Sequence, residues 1–212
     1  MQQRFDKARA GFTLIEMLAV LLILAVLSYF LITNLRSAQE TTEVGIAKNG
    51  LSQMKTMLDQ LSDDKGEFPP SQLPADIGSA ANALNVGSEC LYLALCAEGA
   101  PGAGKLDQAK GLCNTDRDML SKRPKGFEVQ DLFELADPWG NPIAYIRSSD
   151  YDREFHYVCV DAAGEESEYS VRAQKNPDTG RFFEPHGFQL LSAGPDGQFG
   201  TTDDIASFAT KK

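Results

Sequence analysis

Residues 11–32 read GFTLIEMLAVLLILAVLSYFLI, and this stretch decides what the rest of the chain can be. As a helix, Phe12–Ile32 is about 31 Å long, which is enough to cross a hydrocarbon core of about 30 Å. It is longer than the apolar centre of an ordinary secretory signal, and no A-x-A-like cleavage site follows it. It contains one ionisable side chain, Glu16. Because a carboxylate is costly in a membrane helix, we expect Glu16 to have a partner.

The residues at the start of this stretch resemble the processing signature of type IV pilins and type II secretion pseudopilins. Basic residues precede Gly11, and Phe-Thr-Leu-Ile-Glu then opens the apolar helix. The resemblance implies that residues 1–11 are a leader, which the prepilin peptidase removes by cutting after Gly11. It also implies N-methylation of the new terminal residue, Phe12. Finally, it implies that Glu16 pairs with the N-terminal amine of a neighbouring subunit during assembly, since two buried charges are tolerable only as a pair.

The distribution of charge predicts the topology of the chain. The formal net charge is −10 over 212 residues, although the leader itself is basic. A basic segment ahead of a membrane helix places the N-terminus in the cytoplasm before cleavage. The prediction is therefore a single-pass protein of the bacterial inner membrane with its acidic head in the periplasm. The same acidity argues against binding to nucleic acid.

The segment after the apolar stretch, residues 33–66, is predicted to continue the same helix in amphipathic form. Its apolar residues recur at steps of three and four, and this stripe favours packing within the chain over a partner site. A single helix would then extend from Phe12 to about Leu61. Gly45 and Gly50 predict bending or local melting in its middle. The sequence DDKGEFPP at 63–70 ends it. The stripe comprises Val44, Ala47, Leu51, Met54, Leu58 and Leu61.

The remainder, residues 67–212, is predicted to be an α+β head. The fold class is thus a pilin-like α+β fold, with a long N-terminal helix packed on a small antiparallel sheet. The turn DPWGNP at 137–142 is similar to one in the major pseudopilins of type II secretion. Two of the predicted strands, Phe155–Val160 and Tyr169–Ala173, are additional to the compact family pattern and would form an inserted hairpin. We expect a short helix at Glu89–Ala97 and strands at Ile143–Ile146, Phe155–Val160, Tyr169–Ala173 and Gly187–Ser192.

The segment Leu191–Ile205 reads LSAGPDGQFGTTDDI and is a candidate metal site. Carboxylates and inward-facing carbonyls held by glycines suit Ca²⁺, although the spacing is not that of an EF-hand. An acidic surface turn is the alternative on composition alone. The segment is, however, similar to the calcium loop that closes the major pseudopilin domain. That resemblance implies a structural Ca²⁺ with Asp196 and Asp204 as side-chain ligands, Asp203 as a further candidate, and carbonyl donation from Leu191 and Ser192.

The four cysteines suit an oxidising compartment. They contain no C-x-x-C pair, which disfavours a zinc site. On a helix, Cys90 and Cys96 would be about 9 Å apart along the axis, beyond the roughly 7 Å limit for a disulfide. Two connectivities remain. We prefer Cys96–Cys113 with Cys90–Cys159, because the Cys96–Cys113 bond closes a Gly-rich loop. The other connectivity is Cys90–Cys113 with Cys96–Cys159. Free buried thiols are the third possibility.

Catalysis is not expected, because the chain has only two histidines and lacks the common nucleophile, phosphate-loop and zinc-protease motifs. The resemblance implies a structural subunit of a type II secretion pseudopilus that polymerises through its N-terminal helix and drives protein export across the outer membrane. Its partners would be further copies of itself, other pseudopilins, the prepilin peptidase and the inner-membrane secretion platform. The alternatives are a type IV pilin, a minor pseudopilin, or a single-pass anchored binding module that never polymerises.

Overall fold

The computed structural model describes residues 12–74, 82–103, 111–127 and 129–209, and for 33–38 the backbone alone. The predicted leader, residues 1–11, lies outside these ranges. Two compact units are present, Met1–Thr41 and Thr42–Lys212. The described helices are α1 (Leu14–Lys65) and α2 (Val86–Leu95). The strands are β1 (Leu112–Cys113), β2 (Glu134–Leu135), β3 (Ala144–Arg147), β4 (Glu154–Val160), β5 (Glu166–Arg172), β6 (Phe188–Ser192) and β7 (Ile205–Ala206).

Helix α1 confirms the prediction of one long helix, and it ends four residues beyond the expected point. Gly66 follows it with a positive φ of 83°, and its N–H donates to the carbonyl of Ser62 at 2.7 Å. A glycine in this conformation is a common helix stop. The expected melting at Gly45 and Gly50 is wrong, because the helix continues through both residues.

The apolar stripe of α1 packs within the chain, as predicted. Leu51 and Leu58 are 1% and 0% exposed, and they belong to a core cluster with residues of α2, β3 and β6. Burial of such side chains stabilises a fold by about 1.5–3 kcal/mol each relative to exposure. This packing explains why two glycines do not interrupt the helix, since each costs only about 1 kcal/mol relative to Ala.

Within the described ranges, the expected small antiparallel sheet is present as three separate sheets. Strands β3, β6 and β7 form one in that order, with β6 central and buried at all five residues. Strands β4 and β5 form a hairpin of their own, as predicted, while β1 pairs with β2. Strand β5 begins three residues earlier than expected. Its first residues are exposed and polar, so no apolar alternation marks them in the sequence.

The turn at 137–142 is organised by the Asp137 side chain. Its Oδ1 accepts the N–H groups of Trp139 (3.0 Å) and Asn141 (2.9 Å), and its Oδ2 accepts the hydroxyl of Ser192 at 2.6 Å. Burial raises the pKa of Asp137 to about 6, although these hydrogen bonds oppose the shift. The indole of Trp139 packs against the core cluster and donates to Glu43 on α1 at 3.0 Å. Trp139 is thus a packing residue, and the turn is joined to the end of β6.

Candidate functional site

The start of α1 carries the predicted assembly residues. The Oε2 atom of Glu16 accepts both the backbone N–H of Thr13 (2.8 Å) and its hydroxyl (2.7 Å). In return, the N–H of Glu16 donates to the Thr13 hydroxyl oxygen at 3.3 Å. This reciprocal pattern is a capping box, in which side chains satisfy the free N–H groups of the first turn. Phe12 is exposed immediately before it, and Gly11 lies outside the described residues.

The segment that follows is apolar and entirely exposed. Leu14–Ile32 has a mean hydropathy of 2.6, and none of it is buried within the chain. It is long and apolar enough to cross a membrane. An exposed apolar surface of this size calls for lipid or other apolar helices around it. The one acidic side chain in this surface, Glu16, lies in the first turn, where the helix dipole favours a negative charge.

The C-terminal acidic loop follows β6, and its three aspartates contact the loop's own backbone. Asp196 accepts the N–H of Gln198 at 2.8 Å through Oδ1. Asp203 accepts the N–H of Asp196 at 3.2 Å through Oδ2 and the hydroxyl of Thr201 through Oδ1. Asp204 accepts the N–H of Gly200 at 2.9 Å through Oδ2. Each carboxylate therefore helps to shape the loop in which it lies.

One oxygen of this loop has no hydrogen-bond partner. The Oδ1 atom of Asp204 is buried and receives no donor within the described structure. Burial and the charges of Asp203 and Asp196 raise the pKa of Asp204 to about 6. Hydrogen bonds from the N–H groups of Gly200 and Thr201 lower this pKa but do not cancel the shift. Buried carboxylate oxygens are almost always paired, so this unpaired oxygen supports the interpretation of the loop as a candidate cation site.

The backbone around Gly194 supports the same interpretation. Gly194 has a φ of 73°, and a Cβ there would collide with the carbonyl oxygen of Asp203. Only glycine permits this close approach of a carbonyl to the turn. Ser192 donates to Asp137 and accepts the N–H of Gly194 at 3.2 Å, while Leu191 lies opposite Ala144 in the β3–β6 ladder. The five predicted ligand positions therefore lie on one segment, two at the end of β6 and three in the loop.

A second group of carboxylates was not predicted from the sequence. Within the described residues, Glu89, Asp116 and Glu134 each place one oxygen so that all three lie within 4.8 Å of one another. The available signal was the pattern N-x-D-x-D at Asn114, Asp116 and Asp118, since oxygen ligands at alternate positions are typical of calcium loops. Glu89 and Glu134 are far from this motif in the sequence and carry no local signal.

Cys90, Cys96, Cys113 and Cys159 are all free thiols in this structure, which is the third of the possibilities that the sequence left open. Strand pairing places Cys113 opposite Glu134, and Cys159 is close enough for its charge to raise the pKa of the Cys113 thiol. Neither predicted connectivity includes this pair. Burial raises the pKa of all four thiols, which keeps them protonated and poorly reactive.

Comparison with known proteins agrees with these features. Residues 6–28 match the prokaryotic N-terminal methylation motif. Over 208 residues the chain is 27% identical to the type II secretion system core protein G of Escherichia coli (strain K12), and the match covers 98% of this chain and 95% of that protein. No solved structure matches the chain significantly. The motif and the similarity along the chain confirm its resemblance to type IV pilins and type II secretion pseudopilins, and most of all to the major pseudopilin.

Proposed function

We propose that the chain is a structural subunit of a type II secretion pseudopilus and not an enzyme. The observation that carries the proposal is the exposed apolar helix Leu14–Ile32 with a single acidic side chain in its first turn, at Glu16. Two comparisons support it: the methylation motif at residues 6–28, and the similarity to core protein G over nearly the whole length. That length of similarity favours a major pseudopilin over a minor one or a type IV pilin.

The chemistry of the N-terminus gives Glu16 its role in assembly. Cleavage after Gly11 creates an ammonium group at Phe12, close in sequence to the Glu16 carboxylate. Within a filament both groups would enter an apolar environment, where an unpaired charge is costly. The ammonium of one subunit and the carboxylate of its neighbour would therefore pair. The head, which begins after Gly66, would lie in the periplasm, with the apolar helix anchored in the inner membrane before assembly.

Processing of the N-terminus provides the direct test of this proposal. The full-length chain should be expressed with a prepilin peptidase, a secretion ATPase and the inner-membrane platform. Intact-mass spectrometry is expected to show loss of residues 1–11 and gain of one methyl group on Phe12, and sheared filaments should contain the chain. Gly11→Val should retain the leader, whereas Ala10→Val, which places the same side chain one residue earlier, should be processed. An unprocessed wild-type chain, or one absent from filaments, would contradict the proposal.

We further propose that the C-terminal acidic loop holds one structural Ca²⁺. Asp204 and Asp196 would provide side-chain oxygens, with Asp203 as a further ligand and carbonyl oxygens from Leu191 and Ser192. The unpartnered Oδ1 of Asp204 supports this assignment, as does the carbonyl that approaches Gly194. When bound, the ion would compensate two of the three negative charges and offset the entropy lost in ordering a turn of low apolar content.

Asp204→Asn is expected to reduce the stabilisation of the head by calcium. Asn retains an oxygen for the N–H of Gly200 but removes the charge. The thermal midpoint of the full-length chain in detergent should rise with millimolar Ca²⁺, and this rise should be smaller in Asp204→Asn. In chelator the variant should be at least as stable as the wild type, because it lacks an unpaired buried carboxylate. Asp152→Asn, at an exposed position, is the control, and an equal calcium response in all three proteins would exclude the site.

A further inference from the structure

The second carboxylate group joins three parts of the head. Glu89 lies on α2, Glu134 lies on β2, and Asp116 lies in the segment that follows β1. Glu89 and Glu134 are both 0% exposed. Asp118, two residues after Asp116, is close enough for its charge to act on Glu89. Four carboxylates from distant parts of the sequence therefore share one largely buried location.

The oxygens of these carboxylates divide into two sets. Protein donors occupy one oxygen on each of three residues. The amide of Asn85 donates to Oε1 of Glu134 at 2.8 Å, and backbone N–H groups reach Asp116 Oδ1 and Asp118 Oδ2, each at 3.4 Å. The other set is buried and has no hydrogen-bond partner. It consists of Glu89 Oε1, Glu89 Oε2, Asp116 Oδ2, Asp118 Oδ1 and Glu134 Oε2.

Glu89 is the decisive member of this group. Its side chain is fully buried, and its carboxyl group lies at hydrogen-bond distance from that of Asp118, which supplies no donor while both groups are ionised. Native proteins leave few buried polar atoms unpaired, and each such atom needs an explanation. Glu89, Asp116 and Glu134 each bring one oxygen within 4.8 Å of the others and each have an unpartnered buried oxygen, which exceeds what an ordinary acidic surface turn presents, since solvent would satisfy such oxygens there.

The carboxylates in this location repel one another. Burial and the negative charges of Asp118, Asp116 and Glu134 raise the pKa of Glu89 to about 10. Burial and the charge of Asp116 raise the pKa of Glu134 to about 8. The guanidinium of Arg117, the basic residue nearest in sequence, is paired instead with Glu166 on β5. The group therefore carries uncompensated negative charge unless it binds protons or a metal ion.

The surrounding backbone holds these carboxylates in place. Asn85 is fully buried in a left-handed conformation, and its Oδ1 accepts the N–H of Val158 on β4 at 2.9 Å. Its amide bridges Glu134 and Thr115. Asn114 bonds both the N–H (3.1 Å) and the carbonyl (3.0 Å) of Asp118. Such supporting hydrogen bonds orient ligands before a metal arrives.

We propose that Glu89, Asp116, Asp118 and Glu134 bind a Ca²⁺ ion that is distinct from the ion of the C-terminal loop. The five unpartnered oxygens approach the six to eight that Ca²⁺ takes, and water would supply the rest. Mg²⁺ is usually held by only one or two carboxylates and keeps several waters, and Zn²⁺ prefers four ligands with nitrogen or sulfur among them. The ion would join α2, β2 and the segment after β1, which belong to no common sheet.

The test measures calcium stoichiometry on the full-length chain in detergent, by equilibrium dialysis followed by elemental analysis. Four proteins are compared: the wild type, Glu89→Gln, Asp204→Asn, and the control Glu165→Gln, which makes the same change at an exposed turn. The expected result is two ions in the wild type and the control, and one in each of the other variants. One ion, lost in Glu89→Gln and retained in Asp204→Asn, would also support the new site while excluding the loop site.

Other outcomes would overturn the proposal. An unchanged stoichiometry in Glu89→Gln, or no calcium bound to any protein, excludes the site. Binding of Mg²⁺ or Zn²⁺ at this location without Ca²⁺ excludes the assigned ion. Thermal midpoints measured in chelator and in Ca²⁺ distinguish a metal site from a cluster of carboxyl groups that are protonated. With a metal site, Glu89→Gln is at least as stable as the wild type in chelator but less stable in millimolar Ca²⁺. If the order of thermal midpoints is the same in both conditions, the cluster holds protons and not calcium.

Discussion

Glu16→Gln is expected to leave the chain in the membrane but to remove it from filaments. Gln keeps an oxygen for the N–H of Thr13, so the helix start is preserved, and the apolar segment Leu14–Ile32 is unchanged. The substitution removes only the negative charge that would pair with the N-terminal ammonium of a neighbour. Since the ammonium would then be buried without a partner, incorporation should fail. Membrane fractionation and recovery of sheared filaments measure the two properties separately.

The matched control is Glu40→Gln, which makes the same chemical change on α1 outside the apolar segment, at an exposed position. This variant should assemble like the wild type. If Glu16→Gln or Glu16→Ala also assembled normally, the paired-charge mechanism would be wrong. A chain that stays in the membrane and never enters filaments, in the wild type as in the variants, would instead indicate an anchored binding module.

Leu58→Ala is expected to destabilise the head by about 2–5 kcal/mol, the usual cost of removing a large aliphatic side chain from a closed core. Leu58 is 0% exposed and packs in the cluster that joins α1 to α2, β3 and β6. Trp139, the single tryptophan of the chain, packs against the same cluster. Its fluorescence during urea unfolding of the full-length chain in detergent therefore reports the loss of this packing.

Ile46→Ala is the control for this experiment, because Ile46 lies on the same helix but is 55% exposed. Surface substitutions of this kind usually change stability by no more than about 0.5 kcal/mol. An equal effect of the two substitutions would show that the second half of α1 does not bury its stripe in solution, and that the stripe is open to another subunit.

Much of the fold was predictable because its signals are local. The stripe from Val44 to Leu61 shows the helical period directly, and the sequence at Gly66 ends the helix through the preference of glycine for positive φ. The division of the strands into three sheets was not predictable. It depends on which strands pair, and β1, β2 and β7 are only two residues long, which is too short for a periodic pattern.

The two candidate metal sites also differ in how far the sequence could predict them. The C-terminal aspartates are close in sequence, so their common loop was visible from the sequence alone. The group around Glu89 joins residues separated by up to 45 positions, and only the fold brings them together. The cysteines illustrate the same limit. Spacing along a helix separates Cys90 from Cys96, but it does not show that Cys113 lies beside Glu134 and near Cys159.

The core cluster has a consequence for the timing of folding. It includes Ala47 on α1 and Ile205 on β7, so residues about 160 positions apart in the sequence meet in it. Contacts between such distant positions form late, because the intervening chain must first be ordered. The core therefore cannot close until β7 has been synthesised, so the apolar residues of this cluster stay unpaired for most of the translation of the segment that they enclose.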